Sequence, residues 1–204
     1  MRALPEAGLD IEFLKALVVP VTMGLCLAGA TGFRVFLPLC LLSWAARLDI
    51  LPLNGSFEWL SSNAALITFT VAVILEFIGD KFPVVDHALD AIGIFVKPVV
   101  GALIMAAPLV TLDPLIACVV GAVAGGSIAG GIGLAKAKGR LVANTATLGF
   151  AAPVISVIED ILTVLLSVMA IIFPVVALAG VIVLVVFISM RILRRRRTKL
   201  ESKI

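Results

Sequence analysis

Seven stretches without a single Asp, Glu, Lys or Arg divide this chain: residues 16–33, 35–46, 59–75, 98–112, 114–135, 141–158 and 161–190. A helix needs about 20 apolar residues to cross a bilayer upright, with about 17 as the lower limit. Backbone in hydrocarbon must satisfy its own hydrogen bonds, so such stretches are helical or are not in the membrane. Several runs reach that length and others fall short of it. The short ones must recruit polar flanks or turn back before crossing.

Composition removes the soluble alternative. The 204 residues are 62% hydrophobic and 14% charged, with mean hydropathy +1.23. Soluble domains carry about 25% charged residues, and a chain this small has too much surface to cover for so apolar a content. The expected fold is an all-α polytopic membrane helix bundle of six to eight hydrophobic segments. Its parts are a polar N-terminal segment (1–12), one multi-pass domain (13–192) and a basic tail (193–204).

Seven of the 16 Lys and Arg follow Met190. A basic run beside an apolar helix marks a cytoplasmic flank, so the C-terminus is expected inside and nucleic acid is not the expected partner. Glu6, Asp10 and Glu12 precede the first apolar run and make a poor signal-peptide start, so no cleavage is expected. Cys26, Cys40 and Cys118 are odd in number, lie in apolar runs and lack CxxC spacing. They read as buried hydrophobes.

Local signals place the elements. Gly29-Ala-Thr-Gly32 predicts a break between helices near 13–28 and 33–48. The loop LDILPLNGSFE is expected outside. Lys136, Lys138 and Arg140 are expected in a cytoplasmic loop after a 114–135 span. That span carries two GxxxG pairs, Gly121/Gly125 and Gly126/Gly130, which suit close backbone packing at the bundle centre. A phosphate loop would need the Lys-Ser/Thr ending this run lacks. In the long run 161–190, Pro174 either turns the chain or kinks it.

One segment resists a purely apolar account. Glu76, Asp80, Lys81, Asp86, His87, Asp90 and Lys97 crowd between two uncharged runs. Each charge near a bilayer centre costs at least about 2.5–3.5 kcal/mol, so it must pair, face water or do work. From Pro83, offsets +3, +7, +10 and +14 give Asp86, Asp90, Gly93 and Lys97. From Pro153 they give Ser156, Asp160, Thr163 and Ser167. That spacing lies on one helical face, and Pro suits a first helical turn. Re-entrant half-helices are therefore expected to begin near Pro83 and Pro153, in the manner of transporters with repeated broken helices.

Arg34 follows Gly32-Phe33, and Arg140 follows Gly139 and precedes Asn144. Guanidinium groups near broken helices suit phosphate or carboxylate ligands. Arg34, Arg140, Asn144 and Lys97 are the candidate substrate contacts. Glu76, Asp80, Asp86, His87, Asp90, Glu159 and Asp160 are candidates for a proton or cation relay on the cytoplasmic side. The leading expectation is a small transporter or permease-like protein for an anionic solute or lipid headgroup, without a resident cofactor and able to form a homo-oligomer. The alternative is a structural or assembly protein whose charges only neutralise each other. A third is a Mg²⁺-dependent intramembrane enzyme using Asp86 and Asp90. The single His in an acidic helix and the absence of GxSxG argue against serine hydrolysis.

Three blocks carry a resemblance: GFRVFLPL at 32–39, LEFIGDKFPVVDHALDAIGIFVKP at 75–98 and KGRLVANTATLGFAAPVISVIEDIL at 138–162. Together they resemble the bacterial membrane-protein family known as domain of unknown function 4126, over about 13–190. The resemblance implies a small multi-pass protein of a bacterial inner membrane and assigns no activity. Its pattern falls on Arg34, Glu76, Asp80, Lys81, Pro83, Asp86, His87, Asp90, Pro98, Arg140, Pro153, Glu159 and Asp160. Lys97 stands where the family pattern has Arg.

Overall fold

In a computed structural model, backbone is described for residues 11–79, 83–147, 152–183 and 190. Side chains are described for 16–79, 85, 88–89, 91–140, 154–183 and 190. Every regular element among these residues is helical. They are α1 (Ile11–Phe33), α2 (Phe36–Arg47), a 3₁₀ segment (Gly55–Ser61), α3 (Asn63–Gly79), α4 (Pro83–Ala106), α5 (Pro114–Val120), α6 (Ser127–Thr147) and α7 (Ala152–Ile172). A π-helical turn, Gly121–Gly126, joins α5 to α6. A further helix, α8 (Pro174–Val183), follows α7.

Among the described residues, three helical stretches are long and apolar enough to cross a membrane: Ala16–Phe33, Pro114–Arg140 and Val154–Ile172. A fourth arises if the 3₁₀ segment and α3, bent by 63°, count as one span. Over its described residues the chain is thus all-helical and of membrane type.

The centre of the bundle is α1, which packs against α4, α6 and α7. Leu27, Ala28, Ala30 and Thr31 on it are wholly buried. The glycine-rich stretch was expected at the centre. It packs closely but lies beside α4, and Val119, Val123 and Leu134 on it remain exposed. A Cβ on Gly121 or Gly125 would strike the backbone carbonyls of Ala102 or Gly101. Small residues let these backbones meet, and van der Waals packing drives helix association in lipid.

Several boundaries differ from the sequence expectation. Helix α1 runs through Gly29 and Gly32 and ends at Phe33, so the break falls on Arg34 and Val35. The two glycines face α6 instead: a Cβ on Gly32 would lie 3.1 Å from the Ala129 carbonyl, and one on Gly29 would lie 3.7 Å from Ile132. Lys136, Lys138 and Arg140 sit inside α6, not in a loop. Lys and Arg are good helix formers, and Lys136 and Arg140 share one face.

The expected half-helices are longer than half-helices. Pro83 does begin α4, but the helix continues through Pro98 for 24 residues, about 36 Å. Membrane helices tolerate an internal Pro when neighbours hold the helix together. Here the Pro98 ring packs against Gly130 of α6. Helix α7 has 21 residues, about 31 Å. At Pro174 the chain does not reverse. Phe173 N–H bonds to Met169 C=O and Ala177 N–H to Phe173 C=O, so only one turn is disturbed.

The α1–α2 segment descends and returns. Gly24 of α1 lies against Met105 of α4. Asn54, in the loop after α2, donates its backbone N–H to Ala107 C=O just beyond α4, at 2.8 Å. Between them, the Arg34 break meets Lys97 and Lys136 at a different level. The loop end is tied together by Asn54, whose Nδ2 donates to Leu109 and Leu112 carbonyls, both at 2.9 Å.

Candidate functional site

A broken helix leaves carbonyls at one end and amides at the other without helical partners. Here both ends are met by charged side chains from other helices. Lys136 Nζ donates to the Phe33 carbonyl at 2.8 Å, capping α1. The Glu76 carboxylate accepts from Val35 N–H at 2.9 Å and Phe36 N–H at 3.2 Å, capping α2. The signs suit the helix dipole: a cation at a C-terminus and an anion at an N-terminus, each worth about 0.3–1 kcal/mol and up to ~2 when partly buried.

Arg34 stands between the two ends and is 2% exposed. Its Nη2 donates to Ser156 Oγ at 2.9 Å and pairs with Asp160 Oδ1 at 2.5 Å, both on α7. Its guanidinium also lies 5.5 Å from the Phe77 ring centroid, within cation–π range. Lys136 pairs with Glu159 Oε2 at 2.9 Å. Adjacent acids on α7 therefore hold two different partners, one from the α1–α2 break and one from α6.

Beside the break lies a cavity of about 80 Å³. Arg34, Glu76, Lys97 and Lys136 supply its charged wall, and Leu89, Ile92 and Val96 of α4 supply its apolar wall. Lys97 is buried. Its stem lies across Gly93 and Gly133, where a Cβ would meet Lys97 Cε at 3.2 Å or Cδ at 2.7 Å. These two glycines make the groove that leads the lysine inward.

The charged layer is surrounded by outward apolar side chains at the same height. Leu75 and Ile78 flank Glu76, Phe95 and Val99 flank Lys97, and Ile158 and Ile161 flank the α7 acids; all are exposed. Phe95 is 77% exposed and Val99 68%. Charges turned inward beneath an apolar belt are the pattern of ionisable groups held within a membrane.

The Pro153 stripe faces inward, as do the described positions of the Pro83 stripe. Gly93 and Lys97 on α4, and Ser156, Thr163 and Ser167 on α7, are buried, with Asp160 half-buried. Asp86, His87 and Asp90 are carried on α4 and Asn144 on α6, but their side chains lie outside the described residues, as do Asp80 and Lys81 altogether. Of the expected substrate contacts, Arg34 and Lys97 meet at the cavity. Arg140 is buried on α6 one turn past Lys136 and does not line it. Glu76 lines it as the α2 cap, while Glu159 and Asp160 act behind it as partners.

Lys136 and Ser156 were absent from the expected site. The lysine looked like a topology anchor at the end of an apolar run. Ser156 was visible only as one point of the α7 stripe. Among the described residues, no three of His, Cys, Asp and Glu converge as a metal site would require.

A membrane-type helical bundle with a charge-capped helix break at its heart is thus the class that fold and site define. The chain belongs to the family described as domain of unknown function (DUF4126), whose model matches residues 21–195. No curated protein and no solved structure matches it.

Proposed function

We propose that this protein is a small transporter or permease-like protein for an anionic solute or lipid headgroup. The observation that carries the reading is the α1–α2 break, capped by Lys136 and Glu76, opening on a cavity walled by Arg34 and Lys97. Transporters place substrates at broken helices because unwound ends supply oriented dipoles at membrane depth. Arg34 and Lys97 contact the anion. Asp160 and Glu159 compete with it for Arg34 and Lys136, so protonating those acids frees cations for the ligand. Glu76, Asp80, Asp86, His87 and Asp90 extend that relay, with Arg140 and Asn144 on the α6 side. The protein sits in a bacterial cytoplasmic membrane with its basic tail inside, and homo-oligomers are compatible with this arrangement.

The test is flux of a panel of radiolabelled anions in proteoliposomes, for parent, Arg34→Gln and Asp160→Asn. Loss of flux in variants that still fold supports the reading. Flux for no anion in the parent, or full flux in both variants, contradicts it. One observation favours a structural reading: within this layer Arg34 pairs with Asp160 and Lys136 with Glu159. On that reading the same substitutions lower melting temperature and abundance and change nothing else.

A further inference from the structure

Resting on that reading, the cavity's size and its open side narrow the ligand class. A volume of about 80 Å³ equals two to three waters at roughly 30 Å³ each. Pockets that enclose whole organic ligands run to about 300–1,000 Å³. The enclosed part of this cavity therefore suits a small group such as one oxyanion. Any larger molecule must leave the rest of itself outside.

The wall shows where outside is. Ile92 lines the cavity and is 58% exposed, so the cavity reaches the surface at that residue. Leu89 and Val96 share the wall with it, and Phe95, one turn along α4, is exposed. Helix α3 supplies Glu76 to the cavity from one side and α4 supplies Lys97 from the other. Among the described residues their contact is thin: α3 packs mainly on α2 and the 3₁₀ segment, and meets α4 chiefly where Gly79 abuts Val85 and Leu89. Among the described residues, the opening thus lies between α3 and α4, with Leu89, Ile92 and Val96 along its α4 side.

We infer that the ligand is an anionic amphiphile: its phosphate or carboxylate group enters the cavity sideways from the bilayer, between α3 and α4, while its acyl chain stays in lipid along Ile92 and Phe95. Arg34 and Lys97, both more than nine-tenths buried, and Lys136, whose side chain is 6% exposed, supply the cationic groups that such a ligand needs, with the Glu76 carboxylate in the same wall. Ile92 then decides access and Lys97 decides affinity. A free inorganic oxyanion shares the headgroup chemistry but has no use for the aliphatic portal, so the two sources separate experimentally.

The experiment uses the full chain in nanodiscs of phosphatidylcholine containing phosphatidylglycerol, transferred to native mass spectrometry, with inorganic phosphate titrated separately against thermal stability. Parent protein should retain phosphatidylglycerol one to one over phosphatidylcholine. Lys97→Gln should lower that retention at least tenfold, Lys97→Arg should restore it, and Lys138→Gln, exposed on α6, should not change it. Ile92→Trp keeps every charge and should block the lipid without blocking phosphate. Equal retention by parent, Lys97→Gln and Ile92→Trp overturns the inference. Phosphate stabilisation that disappears in Lys97→Gln, with no selective lipid retained, also overturns it and assigns the cavity to a free anion. Selective, Ile92-dependent lipid retention by a protein with no flux leaves the inference standing and removes the transport reading.

Discussion

The Lys136–Glu159 pair offers the most quantitative test of how the charged layer is held. Lys136 has two tasks: it neutralises Glu159 at 2.9 Å and caps the Phe33 carbonyl at 2.8 Å. Lys136→Met removes both and strands a buried carboxylate. Removing one partner of a buried pair costs about 3–5 kcal/mol, and the lost carbonyl partner adds about 1 kcal/mol. Glu159→Gln leaves the lysine on Phe33 and keeps a polar neighbour, so its cost sits at the lower end, about 3 kcal/mol. The double variant strands neither charge. It should be no worse than Lys136→Met alone, giving a coupling energy of roughly 3 kcal/mol. Denaturant unfolding in bicelles, followed by fluorescence of Trp44 and Trp59, the chain's two tryptophans, measures all four proteins. Additivity within about 0.5 kcal/mol would show that the two side chains do not share a buried environment.

Three further outcomes follow from other parts of the fold. Glu76→Gln can offer one acceptor where two amides now bond, leaving a buried donor that costs about 1–3 kcal/mol. Its melting temperature should fall by several degrees, whereas Leu75→Gln, facing outward, should show no capping loss in the hydrogen exchange of Val35 and Phe36. Gly125→Leu places a side chain against the Gly101 backbone and Met105 and should abolish the folded species on size-exclusion chromatography, while Gly131→Ala, with open space beside it, should elute as parent. At the C-terminus of α2, Asp49 adopts φ 56° while Ile50 N–H closes back on Ala45 C=O. Glycine carries no steric penalty there, so Asp49→Gly should stabilise by about 0.5–1 kcal/mol in the same unfolding assay.

How much of this was legible in the chain depends on the range of the forces involved. The helical membrane class follows from uncharged run lengths, a local property. The inward stripe on α7 was legible because helical period alone aligns Ser156, Asp160, Thr163 and Ser167. Its partner was not, because Arg34 and Asp160 are 126 positions apart and only the packing of α1 against α7 joins them. The break was legible as a glycine signal but assigned to the wrong residues. Gly29 and Gly32 serve contact with Ile132 and Ala129, and the chain bends where side chains from α3 and α6 can cap it. Lys136 was hidden for a related reason. A lysine at the end of an apolar run looks the same whether it faces water or reaches inward to a carbonyl.

The central claim is that the charge-capped break lies within the hydrocarbon and beneath an apolar belt. Spin labels at Leu75 and Phe95, in a background with Cys26, Cys40 and Cys118 replaced, report depth directly through accessibility to oxygen and to a water-soluble nickel chelate. Both positions should be accessible to oxygen and shielded from nickel, while a label at Leu48, exposed beyond α2, should meet nickel. Nickel accessibility at Leu75 and Phe95 equal to that at Leu48 would put the charged layer in water and contradict the account.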